Sequence, residues 1–572
     1  MLISYFFPLN LIRPLPQDVV HLIAASEVID SLAAVVRELV ENALDAQATR
    51  ITISVWPELW RVQVADNGLG MDLDNLKQAA AAHSTSKINT ITDLFQIKSL
   101  GFRGEALQSL AQLSDLEIIS RPSVSSLSSY GWRVNYNHQG KAIKTETIAI
   151  ASGTVVTVSN LFETWQTRRQ SLPSSAQQLR SIQLVIQEIA LCHPHVTWQL
   201  RQGHTPWFQI SPGNNAQQIL PQILKTIRVS DLFYLKIPIE ELEINQKNLE
   251  LILGLPDRCH RRKPDWVKVA INGRMVRSPE LEQTLLTALA RTCPRDRYPI
   301  CFVHAHLSPE QIDWNRNPDK SEVYLQNLNE LQAQISQGID QALRLNFERI
   351  SLPETRIHQL LKVSEDKGTY KINASIQPDT ETSANLSKNE LGMIEIKAIA
   401  QVLNTYIVAE HSTGLWLIEQ HIAHERVLYE QICTQWRLVP LEPGIILQSL
   451  TTTQLEQLQR LGLEIDPFGE GVWVVRNAPE LLAKRSDCLD ALVELSLGGD
   501  LQAAQVATAC RSAIKNGTPM TLIEMQTLLD QWIKTRNPRT CPHGRPIVLQ
   551  LEESSLSRFF RRHWVIGKSH GI

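Results

Sequence analysis

Residues 32–46 read LAAVVRELVENALDA, and the fold of the N-terminal half turns on how that run is read. With 3.6 residues per helical turn, Val36, Leu39, Val40, Ala43 and Leu44 fall on one face and Glu38, Glu41, Asn42 and Asp45 on the opposite one. Glu38 and Asn42 stand at i and i+4, where a carboxylate can accept a proton from water beside an amide oxygen that ligates Mg²⁺. A solvated surface helix shows the same polar face, so this run alone does not decide the matter.

The residues downstream shift the balance. Ile51–Val55 and Arg61–Ala65 alternate as strands, and the second runs into Asp66-Asn-Gly-Leu-Gly-Met71, a turn whose glycines permit close backbone approach. Gly101-Phe-Arg-Gly-Glu-Ala106 is a glycine-bounded loop entering a helix, where free N–H groups can bind phosphate. Each element is commonplace by itself.

In this order, ELVENALDA, DNGLGM and GFRGEAL resemble the three nucleotide-binding motifs of the GHKL ATPases, the group of DNA gyrase, the histidine kinases and MutL. The resemblance implies a Bergerat α/β sandwich in which Glu38 is the general base, Asn42 ligates Mg²⁺ and Asp66 bonds the adenine amino group of ATP. It makes Gly68 and Gly70 hinge points of the adenine pocket, and Gly101, Phe102, Arg103 and Gly104 part of an ATP lid. The GxxxxGK[ST] phosphate loop is absent from the sequence. IAASEV (23–28) and HSTSK (83–87, with Thr85 and Lys87) resemble the MutL branch, as do Ser152-Gly-Thr154, Leu161-Phe162 followed by Arg168-Arg169, Ile271-Asn-Gly-Arg274 and the run 313–320. In that branch the lysine at the end of the last run, here Lys320, reaches the γ-phosphate from a second subdomain. Departures are Ser26 for glycine, Ser31-Leu32 for Arg-Pro, and ETWQT (163–167) for YNTPA.

A chain of 572 residues has room for about three or four domains. Steady helix and strand periodicity runs to about 345, with a turn-rich break at 211–215; residues 363–392 are polar with a single aromatic, Tyr370, and cannot offset their ordering entropy. With the resemblance, the expected plan is multidomain α+β and α/β: a GHKL ATPase domain over 1–215, a ribosomal-S5-like transducer subdomain over 216–345, a flexible linker over 346–392, and an α/β C-terminal dimerisation and endonuclease domain over 393–572. Acidic and basic residues nearly cancel, 59 against 56, so any DNA-binding surface must be local. The resemblance places DNA in the groove of an N-terminal dimer and nominates Arg274 and Arg277, beside the basic run 258–263, as phosphate contacts. Eight scattered cysteines suit a reducing compartment, and the apolar run 3–7 is too short for a signal or membrane span, so the expected location is cytoplasmic, with no membrane partner.

In the C-terminal part, residues 419–430 read EQHIAHERVLYE, with His421 and Glu425 at i and i+4 on one helix face, a pair that is structural more often than metal-binding. Cys541-Pro-His543 adds a thiol and an imidazole, and Ala509-Cys510-Arg511 a second thiol. Together these resemble the endonuclease motifs of nicking MutL proteins, DQHAxxExxxxE, ACR and CPHxRP, with 560–562 standing for a late FxR. The resemblance implies His421, Glu425, Cys541 and His543 as ligands, with Glu419 and Cys510 near a second position; Zn²⁺ suits the mixed set and Mn²⁺ or Mg²⁺ the activation of water. Glu419 in place of the family's aspartate moves a carboxylate by one methylene, so a non-nicking matchmaker with a structural metal stays open. Gln435, Leu438 and Pro440 match the QxxLxP peptide that docks on a replicase sliding clamp, and a mismatch-sensing MutS-type protein is the further partner implied.

Overall fold

The structure, a computed structural model, describes residues 16–82, 84–88, 90–94, 96–123, 130–238, 248–314, 322–344, 396–553 and 556. His83, Lys320, the 346–392 linker and the run 560–562 therefore lie outside the described residues. The chain divides into two compact units, one of residues 1–255, 263–288 and 299–338, the other of 256–262, 289–298 and 339–572.

The first unit is built on an eight-stranded sheet. Its strands are β1 (Arg50–Trp56), β2 (Arg61–Asp66), β3 (Asp115–Arg121), β4 (Gly131–Tyr136), β5 (Ala142–Ile148), β6 (Gly153–Ser159), β7 (Thr197–Gln202) and β8 (Thr205–Ile210), in the spatial order β5-β4-β3-β6-β2-β1-β7-β8. Only β1 and β7 run parallel in this sheet, helix Ser175–Cys192 carrying the chain from β6 back to the start of β7; the other neighbours are antiparallel. Period-two residues Ile51, Ile53 and Val55, with Val62 and Val64 opposite, are buried on one face of this sheet.

Helix Leu32–Asp45 starts where Ser31 caps it, the Ser31 side chain accepting from Ala34 N at 3.2 Å. It buries Leu32, Val35, Val36, Leu39 and Val40. Its polar face is not solvated as amphipathicity alone would have it: Glu38 and Glu41 are 8% and 5% exposed, because further structure covers that side as well. Arg168 and Arg169, outside the sheet, bond main-chain oxygens of Ser26 and Leu161 and so tie the helix entry to the β6 loop.

A second sheet in the same unit comprises β9 (Leu232–Pro238), β10 (Asn248–Gly254), β11 (Val267–Ile271), β12 (Arg274–Val276) and β13 (Cys301–His306), ordered β12-β11-β13-β10-β9. A two-stranded ribbon follows, β14 (Ile312–Asp313) with β15 (Tyr324–Leu325).

The second unit contains β16 (Ile396–Val402), β17 (Tyr406–His411), β18 (Gly414–Glu419), β19 (Leu438–Gln448), β20 (Ile465–Gly469), β21 (Val472–Pro479) and β22 (Val548–Glu552). One sheet runs β16-β17-β18-β22 and another β19-β21-β20. Helices Gln420–Thr434 and Leu522–Ile533 cover the first sheet around Trp416 and Trp532, whose rings meet edge to face at 6.5 Å. The second sheet has a separate core around Leu447, Leu458, Val475 and Leu492. Pairing of Ile418 with Val548 sets the start of helix Gln420–Thr434 beside the 541–547 loop, although more than a hundred residues separate them in the chain.

Candidate functional site

In the first unit the end of helix Leu32–Asp45, the β2 turn and the 98–107 loop enclose a cavity of about 980 Å³. Glu38, Asn42, Asp66, Gly70, Thr85, Lys87, Gly101 to Gly104 and Thr154 line it, so most of the residues nominated from three separate motifs converge.

Asp66 ends β2 with its carboxylate accepting from Gly68 N at 2.8 Å. Burial pushes its pKa up to about 6, against the opposing pull of the Gly68 and Thr154 backbone. Register pairs Asp66 with Thr154 on β6; Thr154 Oγ1 lies 2.9 Å from Ser120 Oγ, which accepts from Met71 N at 2.8 Å. Gly70 has φ +69°, and a Cβ there would sit 2.1 Å from the Arg121 carbonyl oxygen, so the turn requires glycine.

At the other end, Lys87 Nζ donates to Asn42 Oδ1 at 3.0 Å and to Asp45 Oδ2 at 2.5 Å. Asp45 also accepts from Leu100 N (2.8 Å) and Gly101 N (2.9 Å), fixing the root of the 98–107 loop. Asp45 and Ser120 were not singled out as site residues from the sequence. The signal for Asp45 was there: it is three residues beyond Asn42 and seven beyond Glu38, on the same helix face. The Asn42 amide oxygen and the buried Glu38 carboxylate are hard oxygen donors of the kind that fits Mg²⁺, and here Lys87 Nζ occupies the Asn42 oxygen.

Arg274 corrects an expectation. Instead of facing DNA it is 9% exposed, its Nη2 3.2 Å from Glu41 Oε2 and donating to the Leu100 carbonyl, with its guanidinium 5.2 Å over the Trp314 ring. A side chain so engaged has no fork to offer a phosphate, whereas Arg277 is exposed. The neighbouring turn is pinned likewise: His193 Nε2 bonds Gly273 O, and His304 Nε2 accepts from Gly273 N, both at 2.9 Å. Glu250, His304 and His306 also cluster, but a His304 ring that accepts through Nε2 carries its proton on Nδ1 and is not poised to ligate through that atom.

In the second unit Glu425, Cys541 and His543 bring a carboxylate oxygen, a sulfur and a ring nitrogen within 4.8 Å of one another. Glu425 and Cys541 are fully buried. Glu425 Oε1 lies 2.6 Å from His543 Nδ1 and Oε2 2.9 Å from Arg545, and although burial pushes this carboxyl up, those two cations hold it below the usual range. Bonds to Cys541 and Glu425 push the His543 pKa up to about 9. A buried thiol, imidazole and carboxylate fit Zn²⁺.

The other candidates are outside this trio. His421 Nδ1 donates to Ile514 O at 2.9 Å, which leaves Nε2 as the ligating nitrogen; Cys510 is half-buried, its thiol pushed up by burial and then by Glu425. Glu419 caps its helix, Oε2 accepting from Ile422 N at 2.6 Å. Arg545, which sequence reading passed over, takes part through its bond to Glu425. Gln435 and Pro440 are exposed and Leu438 half-buried; Leu438 and Pro440 belong to β19, an edge strand paired with β21, so the clamp peptide is not a free extended segment. Among the described residues no helix is long and apolar enough to cross a membrane.

Three family profiles match the chain: "Histidine kinase-, DNA gyrase B-, and HSP90-like ATPase" over 30–163, "DNA mismatch repair protein, C-terminal domain" over 228–344, and "MutL C terminal dimerisation domain" over 399–520. The chain is 60% identical to the DNA mismatch repair protein MutL of Nostoc sp., across 98% of this chain and 99% of that one. It is 58% identical to the MutL of Nostoc punctiforme, across 98% and 100%. Among solved structures, the Aquifex aeolicus MutL ATPase domain complexed with ADP is 21% identical, with a TM-score of 0.36 over 49% of this chain and 94% of that one.

Proposed function

The chain belongs to the MutL family of DNA mismatch repair proteins, and from that premise we propose that it couples an N-terminal ATP switch to DNA nicking at its C-terminal metal site. The observation that carries this reading is the one cavity shared by Glu38, Asn42, Asp66 and Gly101 to Gly104. Asp66 accepts the adenine amino group, and the Gly70 turn lets the base approach the backbone. Thr85, Lys87, Phe102 and Arg103 would flank the phosphates, and Asn42 Oδ1 would hold Mg²⁺ once released by Lys87. When bound, that ion neutralises charge developing on the phosphates. Glu38, buried at the cavity wall, takes the proton of the attacking water. Two chains joined through their C-terminal domains enclose DNA, with Arg277 among the phosphate contacts. A MutS-type sensor reports the mismatch, and Gln435, Leu438 and Pro440 dock on a sliding clamp.

At the C-terminal site Glu425, Cys541 and His543 would hold Zn²⁺ or Mn²⁺, and His421 Nε2 is the further nitrogen available as a ligand. A metal bound there supplies an activated water for attack on a phosphodiester. A second reading, a matchmaker with a structural metal, is favoured by two observations: Glu419 Oε2 is engaged as a cap, and Arg545 already neutralises Glu425.

Supercoiled plasmid with Mn²⁺ and ATP separates the two. Nicking by the parent protein that is lost in His421→Ala supports the first; intact circles with undiminished ATP turnover select the second. Glu38→Ala should bind ATP yet turn over at least about 100-fold more slowly, and unchanged turnover there would sink the assignment of the base.

A further inference from the structure

Arg274 lies in the second sheet's subdomain, yet its guanidinium ends in the ATPase subdomain, bonded to Glu41 and to the Leu100 carbonyl. Both partners adjoin the nucleotide site. Glu41 immediately precedes Asn42 on the helix; Leu100 immediately precedes Gly101, and Asp45 grips the amides of both loop residues. A continuous chain of hydrogen bonds thus runs from Arg274 through Leu100 and Asp45 to Lys87 and Asn42.

Other bonds among the described residues also join the two subdomains, and one of them, Gln96 Nε2 to Glu310 Oε1 at 3.0 Å, lies just ahead of the 98–107 loop. Lys268 pairs with Glu188 at 2.8 Å on helix Ser175–Cys192, and His193 bonds Gly273. These hold the subdomains together; the bond of Arg274 ends on Leu100, inside the 98–107 loop itself. Among the described residues its buried Nη1 has no hydrogen-bond partner, and the guanidinium lies over the Trp314 ring, so the cation depends on its surroundings as well as on its bonds.

We propose that Arg274 is a positioning residue for ATP hydrolysis, a link from the second subdomain that sets the lid root and Asn42 for turnover. The inference rests on the ATP-switch reading above and adds to it where the second subdomain acts. A rearranged lid root moves Asp45, and with it Lys87 and Asn42; conversely, a nucleotide that displaces Lys87 from Asn42 loosens the Leu100 carbonyl under Arg274. Displacement of catalytic groups by about 1 Å costs on the order of 100-fold in rate.

The test measures ATP turnover, ADP affinity and melting temperature of the full-length protein in parallel. Arg274→Met keeps the packing over Trp314 and loses the fork; turnover should fall about 10- to 100-fold with ADP affinity within about twofold. Arg274→Lys, retaining charge and one donor, should recover part of the loss. Glu41→Gln removes the charge from the other partner and should lower turnover with affinity kept, which keeps the idea testable should Arg274→Met not fold. Amide exchange over 272–276 should quicken on adding a non-hydrolysable ATP analogue to the parent and stay unchanged in Arg274→Met. Turnover within twofold of the parent in a folded Arg274→Met, or turnover and ADP affinity falling together, overturns the proposal. Failure of the ATP-switch reading looks different, since it leaves Glu38→Ala as active as the parent.

Discussion

The two candidate sites are assembled on opposite principles. The ATP site is made by main chain: a capped helix, a turn that admits only glycine at position 70, and loop amides held by Asp45. The C-terminal site is made by side chains, three donors from two distant segments that meet because β18 pairs with β22. A site built of backbone should fail when the backbone is displaced and bend when a side chain is exchanged. A site built of side chains should do the reverse.

Gly70→Ala tests the first half of that contrast and carries the largest expected effect. The new Cβ would lie 2.1 Å from the Arg121 carbonyl oxygen in a residue with φ +69°, so the turn or β3 must move. ATP binding should be lost, at least about 100-fold in affinity, while metal content of the C-terminal site stays as in the parent. Isothermal titration with ADP checks it, and near-normal affinity would mean that the adenine pocket does not depend on this turn.

Glu425→Gln tests the second half. The amide keeps a bond to Arg545 but removes the only carboxylate of the trio, so metal affinity should fall about 10- to 100-fold or more. Competition with a zinc chelator reads this directly. Retained affinity would show that the metal is held elsewhere, with His421 or Cys510 as the ligands to examine next.

The contrast also explains what could be read from the sequence. Glu38, Asn42, Asp66 and the 101–104 loop were legible because each lies in a short run whose spacing carries its own geometry, i and i+4 on a helix or a glycine turn after a strand. Asp45 was on the same face and its role was missed only because its partners are backbone amides 55 and 56 residues away. Glu41 and Arg274 are 233 residues apart, and no local pattern announces that pair; the family resemblance alone nominates the arginine after Asn-Gly, as a DNA contact. Of the six C-terminal candidates, three converge in one cluster, and Glu419 at its helix start also serves as a cap through Oε2.

Asp66→Asn is the finest probe, because here a side chain does matter within a site made of backbone. Burial of a charge that water would otherwise solvate raises the folded carboxyl to about 6, against 3.8 for the same group in water. Between those values the folded state binds more protons, so stability falls as pH rises from 4 to 6, and above that the buried charge is a standing cost of about 3 kcal/mol at most. Asparagine removes that cost while its Oδ1 can still accept from Gly68 N. The variant should therefore melt higher than the parent at pH 7 and no higher at pH 4, and bind ATP about tenfold more weakly, since an amide is a poorer acceptor than a carboxylate for the adenine amino group. Parent affinity for ATP should likewise decline as pH is lowered through 6, and the decline should vanish in Asp66→Asn. An unchanged melting temperature at pH 7 would mean that the carboxylate is better solvated than its burial implies; a pH-dependent affinity surviving in the variant would assign the titration to another group in the cavity.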